Sequence, residues 1–478
     1  MESQNWIGGN WYTPSAGEMT VYNPSETSEI VGTVHLSSNE DMMEAGVAAK
    51  AALQQWATRT PGERAAFLDK AASLLEQNLE EIAHVASSEM GKPISEMKGE
   101  VMRGVNLLKY YAAEGVRAHG SVIPASQSSV LQYTKRVPLG VAGLITPWNF
   151  PVAIPIWKIA PALICGNTII WKPAEIASLS ATYVAKIFAQ AGLPDGVLNL
   201  VIGEGHTVGN TLVEQVDVDV ISFTGSTKTG MHVASIAAQR NIKYQTEMGG
   251  KNAAVVLADA DLKLATSAIL SGAFRSAGQK CTATSRVIVE ESIYNPLIDE
   301  LRRQLADVYT GSALDPKSYL GPVASKAQYE KVQSFINLAH TEAQIVAEGA
   351  LQLDPSSGYY VAPSIVEGVP TSHALVQEEI FGPLITLLKA TDFEEAVSLC
   401  NQTVYGLSAS VFTNDIQKGF RFLDEAEAGM VRINLESAGV EYQAPFGGMK
   451  RSSSHSREQG QAALDFYSQL KTCAVYYG

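Results

Sequence analysis

The four cysteines, Cys165, Cys281, Cys400 and Cys473, are scattered through 478 residues with no C-x-x-C pair among them. That excludes a disulfide framework and a zinc-finger type of metal centre, and suits a reducing, cytoplasmic setting with no bound metal. No block of lysine or arginine occurs, and 35 basic against 49 acidic residues leave a net charge of −14, so a nucleic-acid partner is not expected. The first residues, Met1 to Gly17, lack a basic region followed by an apolar one, which gives no sign of a secretory signal. An uninterrupted apolar run is missing too. The nearest, Leu139 to Trp171, carries Asn149, Lys158 and Asn167 and is broken by Pro147, Pro151, Pro155 and Pro161. A spanning helix needs ~20 largely unbroken apolar residues, so a buried turn and short helix between two strands is expected there, not a membrane segment.

Two phosphate-binding fingerprints are absent as well. Gly203-Glu204-Gly205 has Val208 where the third glycine of G-x-G-x-x-G belongs, which leaves a plain turn or a ligand neighbour as the alternatives. Gly250-Lys251 is followed by Asn252 and has Gln245 in place of the first P-loop glycine.

What the chain does have is core: 46% apolar and 18% charged residues over a length that allows about three structural units at ~150 residues each. Apolar residues recur at three and four from Asn39 to Gly91 and from Pro93 to Gly120, as in Ala65, Phe67, Leu68, Ala71, Leu74, and predict successive amphipathic helices. Short β-branched runs then alternate with helical stretches: Val141 to Thr146, Thr168 to Lys172, Val197 to Val201 and Val218 to Phe223 as strands, Ser180 to Ala191 as a helix. That alternation predicts βαβ units and an open parallel sheet. A second α/β series follows, with strands at Ala253 to Leu257, Thr284 to Val289, Ala362 to Glu367 and Leu384 to Lys389, and helices at Tyr294 to Val308 and Lys326 to Gly349. Ser121 to Arg136 and Ala463 to Tyr477 read as strand-like ribbons outside both series, suited to an oligomer contact.

Several residues are candidates for chemistry on local grounds. Cys281 lies in Gly278-Gln279-Lys280-Cys281-Thr282, where a neighbouring cation would lower the thiol pKa and raise its nucleophilicity, although a buried structural cysteine fits the pattern too. Glu247 enters a glycine pair, Gly249-Gly250, and is either a general base beside a cleft or a solvated turn residue. Asn149 is an amide in an apolar stretch; it either satisfies backbone groups or donates to an oxyanion. Gly225-Ser226-Thr227 ends one strand and opens a helix, as a phosphate site or a bare cap.

In order along the chain, Pro147-Trp148-Asn149-Phe150-Pro151, Lys172-Pro173-Ala174-Glu175, Phe223-Thr224-Gly225-Ser226, Glu247-Met248-Gly249-Gly250-Lys251, Gly278-Gln279-Lys280-Cys281, Glu378-Glu379-Ile380-Phe381-Gly382-Pro383 and Pro445-Phe446-Gly447-Gly448 resemble the signature segments of the NAD(P)-dependent aldehyde dehydrogenases. The resemblance implies a Rossmann-type cofactor domain (1–120 and 137–248), a second α/β catalytic domain (249–449) and an oligomerisation ribbon (121–136 and 463–478) of a homodimer or homotetramer. It also implies that Cys281 attacks an aldehyde, that Asn149 holds the oxyanion with the Cys281 N–H, that Glu247 activates the hydrolytic water, and that Lys158 supports the cofactor side of that oxyanion site.

For NAD, with NADP possible, the resemblance implies contacts from Lys172 and Glu175 at the adenosine ribose, Ser226 at the pyrophosphate, and Glu379 with Phe381 at the nicotinamide ribose, with Trp148, Gly225 and Gly249 as further cofactor-binding residues. A carboxylate at Glu175 favours NAD by repelling a 2′-phosphate. The segments Asn434 to Glu441 and Pro445 to Gly460, with Phe274-Arg275-Ser276, are similar to those of the 2,5-dioxopentanoate (2-oxoglutarate semialdehyde) dehydrogenases of sugar-acid catabolism. Arg275, six positions before Cys281, is a candidate carboxylate anchor, as in succinate-semialdehyde dehydrogenases, and Phe150 and Trp157 are candidate tunnel walls. The alternatives are a succinate-semialdehyde or broad-specificity enzyme, or a non-catalytic binding relative.

Overall fold

The computed structural model describes residues 1–117 and 120–478. Two seven-stranded sheets organise it. In the first, the strands Lys243–Glu247, Val220–Thr224, Val141–Thr146, Thr168–Pro173 and Leu198–Leu200 lie side by side in parallel. Val141–Thr146, first of the five in the chain, is flanked by Thr168–Pro173 on one side and Val220–Thr224 on the other. The connections therefore run in opposite directions from it, and the crevice at its carboxyl end is a topological switch point, the place where parallel sheets bind ligands.

Between the first two parallel strands the chain makes the expected turn and a twelve-residue helix, Ala153–Ile164, every residue of which is buried. Among the described residues no helix is long and apolar enough to cross a membrane. Four helices, Asn39–Ala57, Pro61–Gln77, Leu79–Met90 and Ile94–Glu114, precede the five parallel strands, and the last packs against Ala153–Ile164 so closely that a Cβ at Gly104 would sit 2.7 Å from Ile156.

The second sheet has the order Gln344–Glu348, Ser364–Glu367, Leu384–Ala390, Thr284–Glu290, Asn252–Val256, Ser408–Phe412, Met430–Ile433, parallel except for its first strand. That first strand corrects the expectation of one helix from Lys326 to Gly349. The helix stops at Glu342, Ala343 turns extended, and Val346 is buried from an antiparallel edge strand.

The ribbon at the chain's end also differs from expectation. Gly460–Phe466 is a short helix that buries Ala463, Leu464 and Phe466, and only Ser468–Tyr476 is strand. This strand pairs over nine residues with Val130–Pro138, which in turn pairs with Val122–Ile123.

The beginning of the chain, for which no secondary structure was expected above, extends the first sheet. Asn5–Ile7 and Asn10–Tyr12 form a hairpin with Trp6 stacked on Trp11, joined by Gly8 and Gly9, both at positive φ as a tight primed turn requires.

Candidate active site

Cys281 stands on a short irregular segment between the helix Leu262–Phe274 and the strand Thr284–Glu290. Just before it Ser276, Ala277 and Gly278 are all left-handed, at φ of 56°, 53° and 69°. Non-glycine residues adopt this conformation only when neighbours enforce it. Here Glu96, reaching over from Ile94–Glu114, takes hydrogen bonds from the Ser276 N–H (3.0 Å) and Oγ (2.7 Å). Asn252 Nδ2 donates to the Cys281 carbonyl at 2.8 Å, and Gly250 gives that carbonyl room, since a Cβ there would lie 2.5 Å from it. Backbone position at Cys281 is thus fixed from both sides.

The thiol is half-buried, and burial, followed by the carboxylates of Glu379 and Glu247, pushes its pKa well above the usual thiol value. This corrects the idea that Lys280 activates it. Lys280 Nζ turns to the Ser271 carbonyl (3.2 Å), so the cation adjacent in sequence is engaged elsewhere in space. The cofactor-free thiol is therefore protonated near neutrality. Iodoacetamide labelling of Cys281, followed by peptide mass spectrometry, is expected to accelerate about tenfold per pH unit from about pH 7 to about pH 9 without levelling off, as a thiol titrating above that range must. A plateau near neutrality would show an activated thiolate instead.

Asn149 follows the strand Val141–Thr146 and is 7% exposed. Its Nδ2 donates to the Gln279 carbonyl (2.9 Å), which ties the first sheet's switch point to the Cys281 segment. Glu247 ends the strand Lys243–Glu247, 2% exposed. Ser453 Oγ donates to its Oε2 at 2.5 Å, while its Oε1 has no hydrogen-bond partner among the described residues. Burial and the nearby Glu458 carboxylate raise its pKa well above the ordinary carboxylate range.

Lys158 lies elsewhere than expected. It is 1% exposed and pairs with Glu458 and Ser222 Oγ (2.7 Å), close enough for its charge to act on Glu247 but outside the cleft lining. The buried carboxylate pair is thus steadied by one buried ammonium. Glu458, which the sequence reading did not single out, is as deeply buried as Glu247.

A cleft of about 180 Å³ brings together Trp148, Asn149, Gly225, Ser226, Met248, Gly249, Cys281, Gln328, Lys331, Glu379 and Phe381. Ser226 caps the thirteen-residue helix Thr227–Gln239, its Oγ accepting from the Thr229 N–H, so the amide end of that helix opens at the cleft wall. Glu379 accepts from the Gly250 N–H (2.9 Å), and a Cβ at Gly249 would stand 2.3 Å from its carboxylate. Phe381 meets Trp148 edge to face, with ring centroids 5.5 Å apart. Gln328 and Lys331, on the helix Lys326–Glu342, hold the Phe381 and Glu379 carbonyls. No local motif marks those two residues.

On the other side of the Thr224–Thr229 turn a second cavity of about 490 Å³ is lined by Lys172, Gly205, His206, Phe223, Thr229 and His232. Lys172 Nζ bonds Glu175 Oε1 at 2.9 Å, and the Gly205 N–H reaches the same oxygen at 2.5 Å. Burial works to raise the Glu175 pKa, but Lys172 outweighs it and keeps the carboxyl below its ordinary value. Of the alternatives for Gly203-Glu204-Gly205, the cavity favours the ligand neighbour.

The substrate side is less as expected. Trp157 stacks near Phe446, with centroids 5.4 Å apart, and the cluster of Leu407, Met430 and Phe446 packs against Cys281. Phe150 carries Lys92 Nζ over its ring at 3.6 Å. Arg275 is outside the cleft lining: its guanidinium lies over the Tyr319 ring, 5.0 Å from the centroid. Its exposed side chain rests on an aromatic platform.

The aldehyde dehydrogenase family profile matches residues 11–473. The chain belongs to that family. It is 48% identical to an alpha-ketoglutaric semialdehyde dehydrogenase of Bacillus subtilis, over 98% of this chain and 97% of that one. It is 37% identical to a 2,5-dioxopentanoate dehydrogenase of Saccharolobus solfataricus, over the full length of both. Among solved structures, an NAD-dependent aldehyde dehydrogenase from Sinorhizobium meliloti superposes with a TM-score of 0.96 at 33% identity, covering 100% of this chain and 95% of that one. The two sheets are accordingly those of an aldehyde dehydrogenase fold, and NAD(P)-dependent oxidation of an aldehyde is this family member's chemistry.

Proposed function

We propose that this aldehyde dehydrogenase oxidises 2,5-dioxopentanoate to 2-oxoglutarate with NAD, through a covalent intermediate on Cys281. The chemistry is carried by one observation: Cys281 and Asn149 line one cleft beside the capped start of the helix Thr227–Gln239, and Glu247, from a third segment, is near enough for its charge to act on the Cys281 thiol. The substrate is supported by 48% identity to the Bacillus relative across nearly the whole chain.

The groove residues fit a dinucleotide. Its pyrophosphate suits the amides and Ser226 at the helix start, and its ribose hydroxyls suit Glu175 and Glu379. Glu175 is held by Lys172 and Gly205 together, so it stays where it repels a 2′-phosphate, and NAD is preferred over NADP.

In the reaction the Cys281 thiol loses its proton and its sulfur bonds to the aldehyde carbon, while the Asn149 amide and the Cys281 N–H stabilise the oxygen. Bound NAD supplies the acceptor for the hydride leaving that carbon. Cys281 then carries a thioester. Glu247, whose raised pKa makes it a stronger base, takes a proton from water; the water oxygen attacks the acyl carbon and the C–S bond breaks to restore the thiol. One aldehyde, one water and one NAD give the carboxylate, NADH and two protons.

The antiparallel ribbon supports assembly: Ser468–Tyr476 exposes Leu470, Val475 and Tyr476, surface suited to a second subunit in a dimer or tetramer. A cytoplasmic setting accords with the unpaired cysteines.

Initial rates with 2,5-dioxopentanoate, succinate semialdehyde and pentanal, each with NAD and NADP, test the reading. The dioxo acid with NAD is expected to lead in kcat/KM by at least about tenfold. An equal or better rate with pentanal would make this a broad aldehyde oxidiser, and a lead for succinate semialdehyde would reassign the substrate.

A further inference from the structure

Arg275 is exposed and lies over Tyr319, and a second arginine lies deeper in the chain's active-site surroundings. The helix Ile94–Glu114 presents Glu96, Glu100 and Arg103 along one face, at spacings of four and three. Glu96 holds Ser276 of the nucleophile segment. Glu100 accepts from the Val152 and Ala153 amides, at 2.9 and 3.1 Å, where the segment carrying Asn149 enters its helix, and pairs with Lys92. This face therefore runs along the active-site wall, and Arg103 comes next on it.

Arg103 is half-buried and makes one hydrogen bond among the described residues, from Nη2 to Gln459 Oε1 at 2.9 Å. A guanidinium has five N–H donors. The acids around it, Glu441 and Glu100, form no ion pair with it, and Glu100 is already occupied. Burial meanwhile pulls its pKa down, the mark of a cation short of hydration.

Two further donors nearby lack acceptors. Among the described residues the fully buried Gln459 Nε2 has no partner, and neither has the indole N–H of Trp157, 7% exposed. Trp157 and the backbone leading into Gln459 both neighbour Phe446. Trp157 stacks near its ring, and Glu458, the residue before Gln459, exchanges backbone hydrogen bonds with it at 2.6 and 2.7 Å. Phe446 belongs to the cluster packed on Cys281. Buried donors are ordinarily satisfied, so three unmet donor groups around one wall of the nucleophile's surroundings describe a receptor for acceptor oxygens.

We propose that Arg103, with Gln459 and Trp157, binds the carboxylate and 2-keto oxygens of a 2-oxo acid aldehyde and sets substrate preference. A 2-oxo acid end offers three acceptor oxygens, two of them in the geometry a guanidinium fork matches. A saturated monocarboxylate lacks the third, so the site discriminates against succinate semialdehyde as well as uncharged aldehydes. This rests on the substrate reading above and adds the residues that enforce it.

The test is the ratio of kcat/KM for 2,5-dioxopentanoate to that for pentanal in wild type, Arg103→Met and Trp157→Phe. The ratio is expected to fall about 100-fold in Arg103→Met, chiefly through KM, and about tenfold in Trp157→Phe, which keeps the ring and removes only the N–H. An unchanged ratio in both variants, with wild type preferring the dioxo acid, overturns the inference and leaves the substrate reading standing. A wild type that prefers pentanal overturns the substrate reading, and the inference falls with it. Should Arg103→Met fail to fold, the ratio in Trp157→Phe decides.

Discussion

With Cys281 replaced by alanine, NADH formation will fall on the order of 10⁶-fold, while the Kd for NAD stays within about twofold of wild type. The rate loss follows from chemistry: without the sulfur no thiohemiacetal forms, and the carbon from which hydride must leave stays a trigonal aldehyde. Retention of cofactor follows from geometry. The residues proposed to hold the cofactor, Ser226, Glu175, Lys172 and Glu379, are none of them positioned by the thiol. The substitution also leaves the segment intact, because Asn252 grips the Cys281 carbonyl and Glu96 grips Ser276, both independent of the side chain. Stopped-flow absorbance and equilibrium NAD titration check the two halves separately. Turnover that survived would place the nucleophile elsewhere.

Glu247→Gln should separate the two halves of the reaction in time. Acylation proceeds, so one NADH per active site forms in a burst, and steady turnover then slows by about 10²- to 10⁴-fold, the usual contribution of a general base. The variant should fold well. A glutamine oxygen still accepts from Ser453, and replacing one of two buried acids relieves the repulsion that raises the Glu247 pKa. A slow phase without a burst would mean that Glu247 acts before hydride transfer, as the base for Cys281.

Asn149, Ser226, Glu247 and Cys281 each kept two readings on local grounds, and only the order of the family-like segments along the chain singled them out. The βαβ alternation from Val141 onward was legible, and the structure places these residues at strand ends, a helix start and the turn before a strand. Glu458 was not legible, since its significance comes from Lys158 and Ser222. Lys280 shows the converse: a neighbour in sequence whose side chain leaves in another direction. Gln328 and Lys331 are ordinary polar residues on a helix face until the carbonyls of Phe381 and Glu379 are placed against them. In the same way the break after Glu342 depends on an edge strand needing a partner in Ser364–Glu367, and the Gly8-Gly9 turn was obscured by its polar surroundings.

Lys158 and the carboxylate that pairs with it are separated by 300 residues. Other contacts close the first sheet's core in the same late fashion: Asn167 donates to the Tyr467 carbonyl at 2.8 Å, the Met248 N–H to Ser452 at 2.8 Å, and the last strand lies along Val130–Pro138. On the ribosome, at ~5–20 residues per second, the emerging lysine waits roughly 15 to 60 s for its acid. During that interval the nascent nucleotide-binding half has its strands but holds a cation with nowhere to be buried. The last tenth of the chain thus acts as a keystone, and a polypeptide released early is held back from both a finished core and a working centre.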